Sequence, residues 1–173
     1  MQMAKPQQTL VPFQRLIDAN ANTVAGFLRG MLPPHDVEDA IQETFVAAMR
    51  AYPSFDGANP RAWLLTIARR KAIDEYRASS RRPGPLAEPD EIAASSSSLE
   101  ESAFDGEALW AAVAELPPKQ RAAIVLRFAL DFRYREVGEA IGCTEAAARR
   151  SVHEGVSRLR DRYATATEGE VLR

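Results

Sequence analysis

Apolar residues recur every three or four positions along most of the chain, which is the period of an amphipathic α-helix. In the first half this pattern predicts a helix over residues 9–31, with Pro12 in its first turn, and a second over residues 36–52. Asn59 before a proline is a start signal for a third helix over residues 60–78. The residues predicted to face a common core include Val37, Ile41, Phe45, Ala48 and Met49 on the second helix and Trp63, Leu64, Ile67, Ala68 and Tyr76 on the third.

The same period returns in the second half. A helix is predicted from near Phe104, packing through Leu109, Trp110, Val113 and Leu116, and after a Pro-Pro break another reaches about residue 130, packing through Ile124, Val125 and Phe128. Two further helices are predicted over residues 134–141 and 144–163. Gly142 suits the left-handed turn that ends the first of them, and Thr144 can cap the second. This is the pattern of a helix-turn-helix, whose second helix enters a DNA major groove.

Between the two halves the helical period disappears. Residues 81–103 are rich in serine, proline and acid, and include an uninterrupted serine run from Ser95 to Ser98. Such a composition predicts a flexible acidic linker, whose acidity either confers solubility or serves a partner. The chain is therefore predicted to be all-α, with a helical bundle over residues 9–80 and a four-helix domain with a helix-turn-helix over residues 104–164.

The charged residues are distributed unevenly along the chain. The formal net charge is only −2, but residues 59–82 hold seven Lys or Arg against two acids, whereas residues 85–107 hold seven acids and no base. A nearly neutral protein of this kind can still present a basic face to nucleic acid. The single Cys143 excludes an intramolecular disulfide, and no apolar run is long enough for membrane insertion or export. A cytoplasmic location is predicted.

No catalytic residues are indicated by the sequence. The histidines are His35 and His153, no glycine-rich phosphate loop is present, and Cys143 lies in the predicted turn, where it is expected to be a small apolar filler. Acids at Asp36, Asp39 and Glu43 raise the alternative of a divalent metal or a nuclease, but no second helix offers acids at matching spacing. No metal, no cofactor and no enzymatic activity are predicted.

The second helix carries acids with two interpretations. Asp36, Glu38 and Asp39 crowd its first turn, where carboxylates complement the positive end of the helix dipole. Alternatively, Glu38, Gln42 and Phe45 form a mixed acidic and apolar stripe that suits a partner helix carrying arginine. Residues 36–45 read DVEDAIQETF, which resembles the DAEDLVQETF segment of small bacterial sigma factors of the extracytoplasmic-function (ECF) group. In that family the segment binds the core RNA polymerase, which implies a polymerase-binding site of Asp36, Glu38, Asp39, Gln42, Glu43 and Phe45.

The loop at residues 55–59 and the helix after it supply what a single-strand DNA site needs: aromatic rings, polar groups for an extruded base and cations for the backbone. Residues 60–74 are also similar to the family helix that recognises the promoter minus-ten element, with Arg70 where the family often has asparagine. Core packing is the favoured alternative for Trp63, and a solvated helix face is the alternative for the cations. The predicted minus-ten site comprises Phe55, Asp56, Asn59, Arg61, Trp63, Arg69, Arg70, Lys71 and Arg77.

Two segments of the second half also resemble the family. Residues 116–121 read LPPKQR, and residues 134–142 read YREVGEAIG, close to the family's YEEIAEILG. The helix that follows these segments differs more from the family sequence, because Ser151 and Glu154 stand where the family usually has arginine. Weaker or differently specific binding to the minus-thirty-five element is therefore expected. Glu145 can either accept a hydrogen bond from a cytosine amino group or complement the positive end of the helix dipole. The predicted minus-thirty-five site comprises Thr144, Glu145, Ala147, Arg149, Arg150, His153 and Arg158.

The resemblance implies a sigma factor that brings RNA polymerase core to promoters and assists promoter melting, with the clamp and flap of the polymerase, promoter DNA and an anti-sigma protein as partners. It also implies that the linker passes through the polymerase cleft toward the nascent RNA. The alternative from a different class is a stand-alone helix-turn-helix regulator of duplex DNA that retains a sigma-like first domain. A metal-dependent nuclease built on the acidic helix is the third candidate.

Overall fold

A computed structural model describes residues 12–81 and 103–170. Every regular element in these two ranges is a helix, as predicted for an all-α chain. Predictions for residues 9–11 and for residues 82–102 of the linker lie outside the described residues.

The first domain contains three long helices: α1 (Phe13–Met31), α2 (Pro34–Ala51) and α3 (Pro60–Arg81), with a short 3-10 turn (Tyr52–Ser54) after α2. Pro12 is the residue before α1, so the prediction that it lies inside the first turn is wrong. Asn59 starts α3 as predicted, because its Oδ1 accepts a hydrogen bond from the Ala62 amide at 3.2 Å.

The core of this domain lies between the three helices, and Val24, Phe27, Leu28, Leu64 and Leu65 are almost fully buried in it. Val37 and Ala48 of α2 face the same core, as their spacing predicts, and Ala40, which was not assigned to the core, is buried beside them. Two predicted core residues do not face it: Met49 is 57% exposed and Tyr76 is 45% exposed. Both lie near the carboxyl-terminal ends of their helices.

The second domain contains α4 (Ala103–Ala114), α5 (Pro118–Ile124), a π-helical extension of α5 (Val125–Ala129), α6 (Tyr134–Ile141) and α7 (Glu145–Glu170). Leu116, Val137, Ile141, Ala148 and Val152 are buried where these elements meet. Leu109, Trp110 and Phe128, all predicted core residues, are 42%, 41% and 62% exposed. Phe128 lies in the π-helical segment, where the wider turn rotates side chains out of the register that an α-helix would give.

The helix-turn-helix between α6 and α7 forms as its turn residues predict. Gly142 ends α6 with φ of 70°, in the left-handed region that glycine adopts without steric cost. Thr144 Oγ1 accepts a hydrogen bond from the Ala147 amide at 3.2 Å and caps α7. A second glycine is needed here: a Cβ on Gly138 would lie 2.7 Å from the Cys143 carbonyl oxygen. The turn can therefore pass close to α6 only because residue 138 has no side chain.

The two domains pack against each other, with α1 against α5 and its π-helical extension, and α3 against α6. At Gly30 the helices approach so closely that a Cβ would lie 2.7 Å from both methyl groups of Val125. Arg121, only 6% exposed, donates a hydrogen bond from Nη1 to the Met31 carbonyl oxygen at 2.9 Å, satisfying a carbonyl at the end of α1.

Candidate functional site

The side of α2 that faces away from the core is acidic. Glu38, Asp39, Gln42 and Glu43 are all exposed, whereas Val37, Ala40, Thr44 and Ala48 on the opposite side are buried. The helix thus separates four of its six predicted polymerase-binding residues from its packing residues. Four polar side chains that could meet a partner helix remain accessible on the folded chain.

The other two predicted members of this site are less accessible. Asp36 lies in the first turn, with its Oδ2 3.5 Å from Nε2 of the exposed His35. Phe45 is half-buried and packs against the core of the first domain, so only part of its ring is available to a partner.

Two apolar residues extend the acidic face and were not assigned to it from the sequence. Val46 is 42% exposed and Met49 is 57% exposed. They follow Asp39 and Gln42 at helical spacing, so positions 39, 42, 46 and 49 form one stripe along α2. That spacing was the available signal, but an apolar residue at helical period is ordinarily assigned to the core. We call this stripe, together with Glu38 and Glu43, the α2 face.

An ion pair connects the α2 face with α3. Lys71 Nζ lies 2.9 Å from Glu43 Oε2, with about a third of the Lys71 side chain and about half of the Glu43 side chain exposed. The pair joins a predicted DNA-binding cation to a predicted polymerase-binding carboxylate.

The two aromatic rings of the predicted minus-ten site stack on each other. The Phe55 and Trp63 ring centroids are 4.5 Å apart with an angle of 26° between the planes. Phe55 is only 8% exposed, and Trp63 is partly buried against the core, which fits the packing role that was the favoured alternative for Trp63. The neighbouring Asp56 shapes the loop, because its Oδ1 accepts a hydrogen bond from the Ala58 amide at 2.9 Å.

Three of the predicted minus-ten residues face the second domain. Asn59 Nδ2 donates a hydrogen bond to Glu139 Oε2, and the Arg61 guanidinium lies over the Phe132 ring, 3.8 Å from its centroid. Arg69 is partly buried, and burial is the main cause that lowers its pKa from the ordinary arginine value. The positive charge of Arg70 lowers the pKa further, while Cys143 opposes the shift. Arg69 therefore lies within electrostatic range of the helix-turn-helix turn.

The remaining cations of this site differ in exposure. Arg70 and Arg77 are exposed on α3, and Lys71 is half-buried in its pair with Glu43. The structure thus separates Asn59, Arg61 and Arg69, which face the second domain, from Arg70 and Arg77, which are exposed. Phe132, Glu139 and Thr66, which complete the contact, were not assigned any role from the sequence, because nothing local marks residues that meet across a domain boundary.

The predicted minus-thirty-five residues lie on and just before the exposed side of α7. Glu145, Ala146, Arg149, Arg150 and His153 line a shallow surface depression, and Arg158 is exposed further along the helix. Arg149 Nη2 lies 3.0 Å from Glu145 Oε1, and the Arg149 guanidinium is 4.9 Å from the Tyr134 ring centroid. Thr144 and Ala147 are joined by the capping hydrogen bond.

Two departures from the family pattern have structural explanations. Ser151 is 7% exposed and faces the interior of the domain, so an arginine at this position would have to be buried. Glu154 Oε2 accepts a hydrogen bond from Gln120 Nε2 at 3.1 Å, which ties α7 to α5. Ser151 therefore packs inside the domain, whereas Glu154 is exposed and joins α7 to α5 by this hydrogen bond.

Within the described ranges, no group of His, Cys, Asp and Glu side chains is arranged to hold a metal ion. No helix in the same part of the chain is long and apolar enough to cross a membrane.

Both domains of the chain are similar to known proteins. Residues 16–82 match the Sigma-70 region 2 family, and residues 106–159 match the Sigma-70, region 4 family. The chain is 37% identical over 135 residues to the ECF RNA polymerase sigma factor ShbA of Streptomyces griseus, covering 73% of this chain and 71% of that protein. It is 28% identical over 166 residues to the ECF RNA polymerase sigma factor SigX of Bacillus subtilis, covering 86% of this chain and 81% of that protein.

A solved structure is also similar: the sigma factor RpoE of Bartonella quintana in complex with the anti-sigma factor NepR. It has a TM-score of 0.69 and 25% sequence identity, covering 86% of this chain and 94% of that chain. The fold and the two matched regions define a sigma factor of bacterial RNA polymerase. The chain belongs to the ECF RNA polymerase sigma factors, and its function is to direct the polymerase core to promoters.

Proposed function

We propose that the α2 face docks on the clamp of RNA polymerase. The observation that supports this is the segregation of α2, which exposes Glu38, Asp39, Gln42 and Glu43 while its opposite side is buried in the core. A row of carboxylates suits arginine on a partner helix, because carboxylate and guanidinium form paired, charge-assisted hydrogen bonds. Val46 and Met49 add an apolar end to the stripe, and burying them at the interface would contribute hydrophobic free energy.

The promoter sites divide between the two domains. In this proposal α3 and the loop before it hold the separated minus-ten strand, with Arg70, Lys71 and Arg77 contacting the phosphate backbone. The exposed side of α7 enters the major groove of the minus-thirty-five element through Arg149, Arg150, His153 and Arg158. Phe55 and Trp63 support the loop by stacking on each other, so their contribution to base contacts is indirect in the arrangement described above.

The protein works without catalytic residues or a cofactor of its own in this proposal, and it acts in the cytoplasm, where the polymerase is. An anti-sigma protein is the expected regulator, supported by the similarity to RpoE, which was solved in complex with one. Such a protein would have to compete for the α2 face or for the promoter-binding surfaces.

Transcription in vitro tests the proposal. Run-off transcription with core polymerase over a genomic promoter library should give discrete starts that depend on the added chain. Asp39→Lys should weaken binding to core polymerase and reduce those transcripts, because it places a cation within an acidic interface. Asp18→Lys is the matched control, since it reverses an exposed acid on α1, outside the α2 face, and should leave both unchanged.

Two results would contradict the proposal. Unchanged polymerase affinity in Asp39→Lys, with helicity intact, would remove the assigned docking surface. Tight binding to duplex promoter DNA with no transcription by core polymerase would instead indicate a stand-alone regulator.

A further inference from the structure

We infer that Arg133, the residue before α6, binds a phosphate of the DNA backbone beside the minus-thirty-five element. This contact would hold the first helix of the helix-turn-helix against the strand while the exposed side of α7 lies in the major groove. The inference rests on the proposed role of α7 and adds a residue that belongs to none of the candidate sites. Its ligand is one phosphate group of duplex DNA, so it would contribute affinity and orientation without reading the base sequence.

The start of α6 lies beside the exposed basic side of α7. The two helices pack against each other, and the ring of Tyr134, the first residue of α6, lies at their contact. The Arg149 guanidinium on α7 is 4.9 Å from the centroid of this ring, and the Arg127 guanidinium is 5.4 Å from it. Arg133, next to Tyr134 in the chain, therefore lies close to a cation of the proposed major-groove surface. In a docked helix-turn-helix the first helix crosses the DNA backbone, which fits a phosphate contact at this end of α6.

The guanidinium of Arg133 differs from those of its two arginine neighbours, because no acid holds it. Arg127 Nη1 lies 3.1 Å from Asp131 Oδ1, and Arg149 Nη2 lies 3.0 Å from Glu145 Oε1. Among the residues that the structure describes, no ion pair includes Arg133, and the residue is exposed. Its donors can therefore bind a phosphate oxygen without breaking an existing ion pair.

The main chain at Arg133 is already fixed. Its amide donates a hydrogen bond to Glu136 Oε2 at 2.8 Å, and its carbonyl oxygen accepts one from the Val137 amide at 2.9 Å. Binding a phosphate would thus order only the side chain, and a guanidinium can form two parallel hydrogen bonds to phosphate. The positive end of the α6 dipole adds to the attraction, whereas the Glu136 carboxylate opposes it.

A cation at this place adds to a recognition helix that has lost two. Ser151 and Glu154 stand on α7 where the resemblance implies arginine. Ser151 is only 7% exposed, and Glu154 is hydrogen-bonded to Gln120, so neither position presents a cation to DNA. Arg133 would supply a backbone contact from α6 instead.

Promoter binding by the reconstituted holoenzyme tests the inference, because the full chain meets its promoter together with core polymerase. Affinity for one duplex promoter is measured at a series of salt concentrations. The variants are Arg133→Gln, which removes the charge, and Arg133→Lys, which keeps it. Arg15→Gln is the matched control, since it removes the charge of an exposed arginine on α1, outside the assigned sites.

Arg133→Gln should weaken promoter binding by roughly five- to tenfold at about 0.1 M salt and reduce the salt dependence. The slope of log affinity against log salt should become shallower by about 0.9, which corresponds to one phosphate contact. Arg133→Lys should retain most of the affinity and the slope, because lysine also binds phosphate. Arg15→Gln should leave both unchanged. A salt slope in Arg133→Gln equal to that of Arg15→Gln would overturn the inference.

A contact to phosphate should also be indifferent to promoter sequence. In run-off transcription over the promoter library, Arg133→Gln should reduce all transcripts by a similar factor and preserve their ranking. Arg150→Gln, on the proposed major-groove surface, should change the ranking. A changed ranking in Arg133→Gln would show base reading instead, and a loss of affinity for core polymerase alone would show a polymerase contact; either result would overturn the inference. Failure of the proposed function would appear separately, as absence of library transcripts with the unaltered chain.

Discussion

Lys71 and Glu43 form an ion pair, with Nζ 2.9 Å from Oε2, that links α3 to the α2 face. Both side chains are substantially exposed, so water and salt screen their attraction. The pair therefore positions two functional side chains more than it stabilises the fold. A partner arginine that bound Glu43 would leave Lys71 available to a DNA phosphate.

A double-mutant cycle measures the strength of this pair. Glu43→Gln and Lys71→Met, separately and together, should give a coupling free energy of about 0.2–1 kcal/mol in urea unfolding, the range of exposed ion pairs. Strongly reduced polymerase affinity in Glu43→Gln with so small a change in stability would then reflect docking. A coupling of several kcal/mol would show instead that the pair is a structural element of the bundle.

Gly138 should not tolerate a side chain. Its Cβ would lie 2.7 Å from the Cys143 carbonyl oxygen, which belongs to the backbone of the helix-turn-helix turn and has little room to move. Gly138→Ala is expected to lower the free energy of unfolding by about 1–3 kcal/mol, as overpacking does elsewhere.

The control for this change is another helical glycine with open space around it. Gly106→Ala meets nothing within 4 Å and should raise the stability of α4 by about 0.5–1 kcal/mol, because alanine loses less backbone entropy in a helix. Chemical denaturation of the two variants gives opposite signs if the close approach at Gly138 is correct. Equal effects would contradict it.

Thr144 should contribute to stability through its hydroxyl group. Thr144→Ala removes the acceptor for the Ala147 amide and is expected to cost about 1 kcal/mol, measured by thermal or chemical unfolding. Thr144→Ser keeps the oxygen and should recover most of that loss. If serine and alanine were equally destabilising, the methyl group rather than the cap would be the important feature.

Glu115 should titrate below its ordinary range. Its side chain accepts a hydrogen bond from Arg162, which is the main cause that lowers its pKa from 4.5, with the positive charge of Arg162 adding to the shift. Because the folded-state pKa is the lower one, the associated stabilisation is present above pH 4.5 and is lost as the pH falls through the lowered value. NMR titration of the Glu115 carboxyl carbon should show this, and Arg162→Gln should move its pKa upward.

Local signals predicted the ends of helices well. Asn59, Gly142 and Thr144 were assigned as caps or turn residues from their own chemistry, and each has that role. The need for glycine at position 138 went unnoticed, because it comes from a backbone segment that passes nearby only after the turn forms. The prediction that Phe128 is a core residue was wrong because the periodicity argument assumes a regular α-helix. Phe128 lies in a π-helical segment, whose wider turn changes the direction of the side chain.

For the candidate sites, the sequence predicted which residues are involved but not how exposed each of them is. The polar residues of the α2 face could be listed from spacing and charge, but the exposure of Met49, which extends that face, depends on which neighbours reach it. The cations of α3 were also identified from the sequence. That Arg61 would lie on Phe132 while Arg70 remained exposed could not be predicted, since both are arginines on the same helix.

The order of apolar, polar and capping residues determined by itself that this chain forms helices and where most of them begin and end. These properties arise from interactions between residues a few positions apart. Only the tertiary structure decided that Asn59 meets Glu139 and that Gly30 meets Val125. Such contacts depend on how two separately formed apolar and polar surfaces fit together, and helical period along the chain contains no information about that fit.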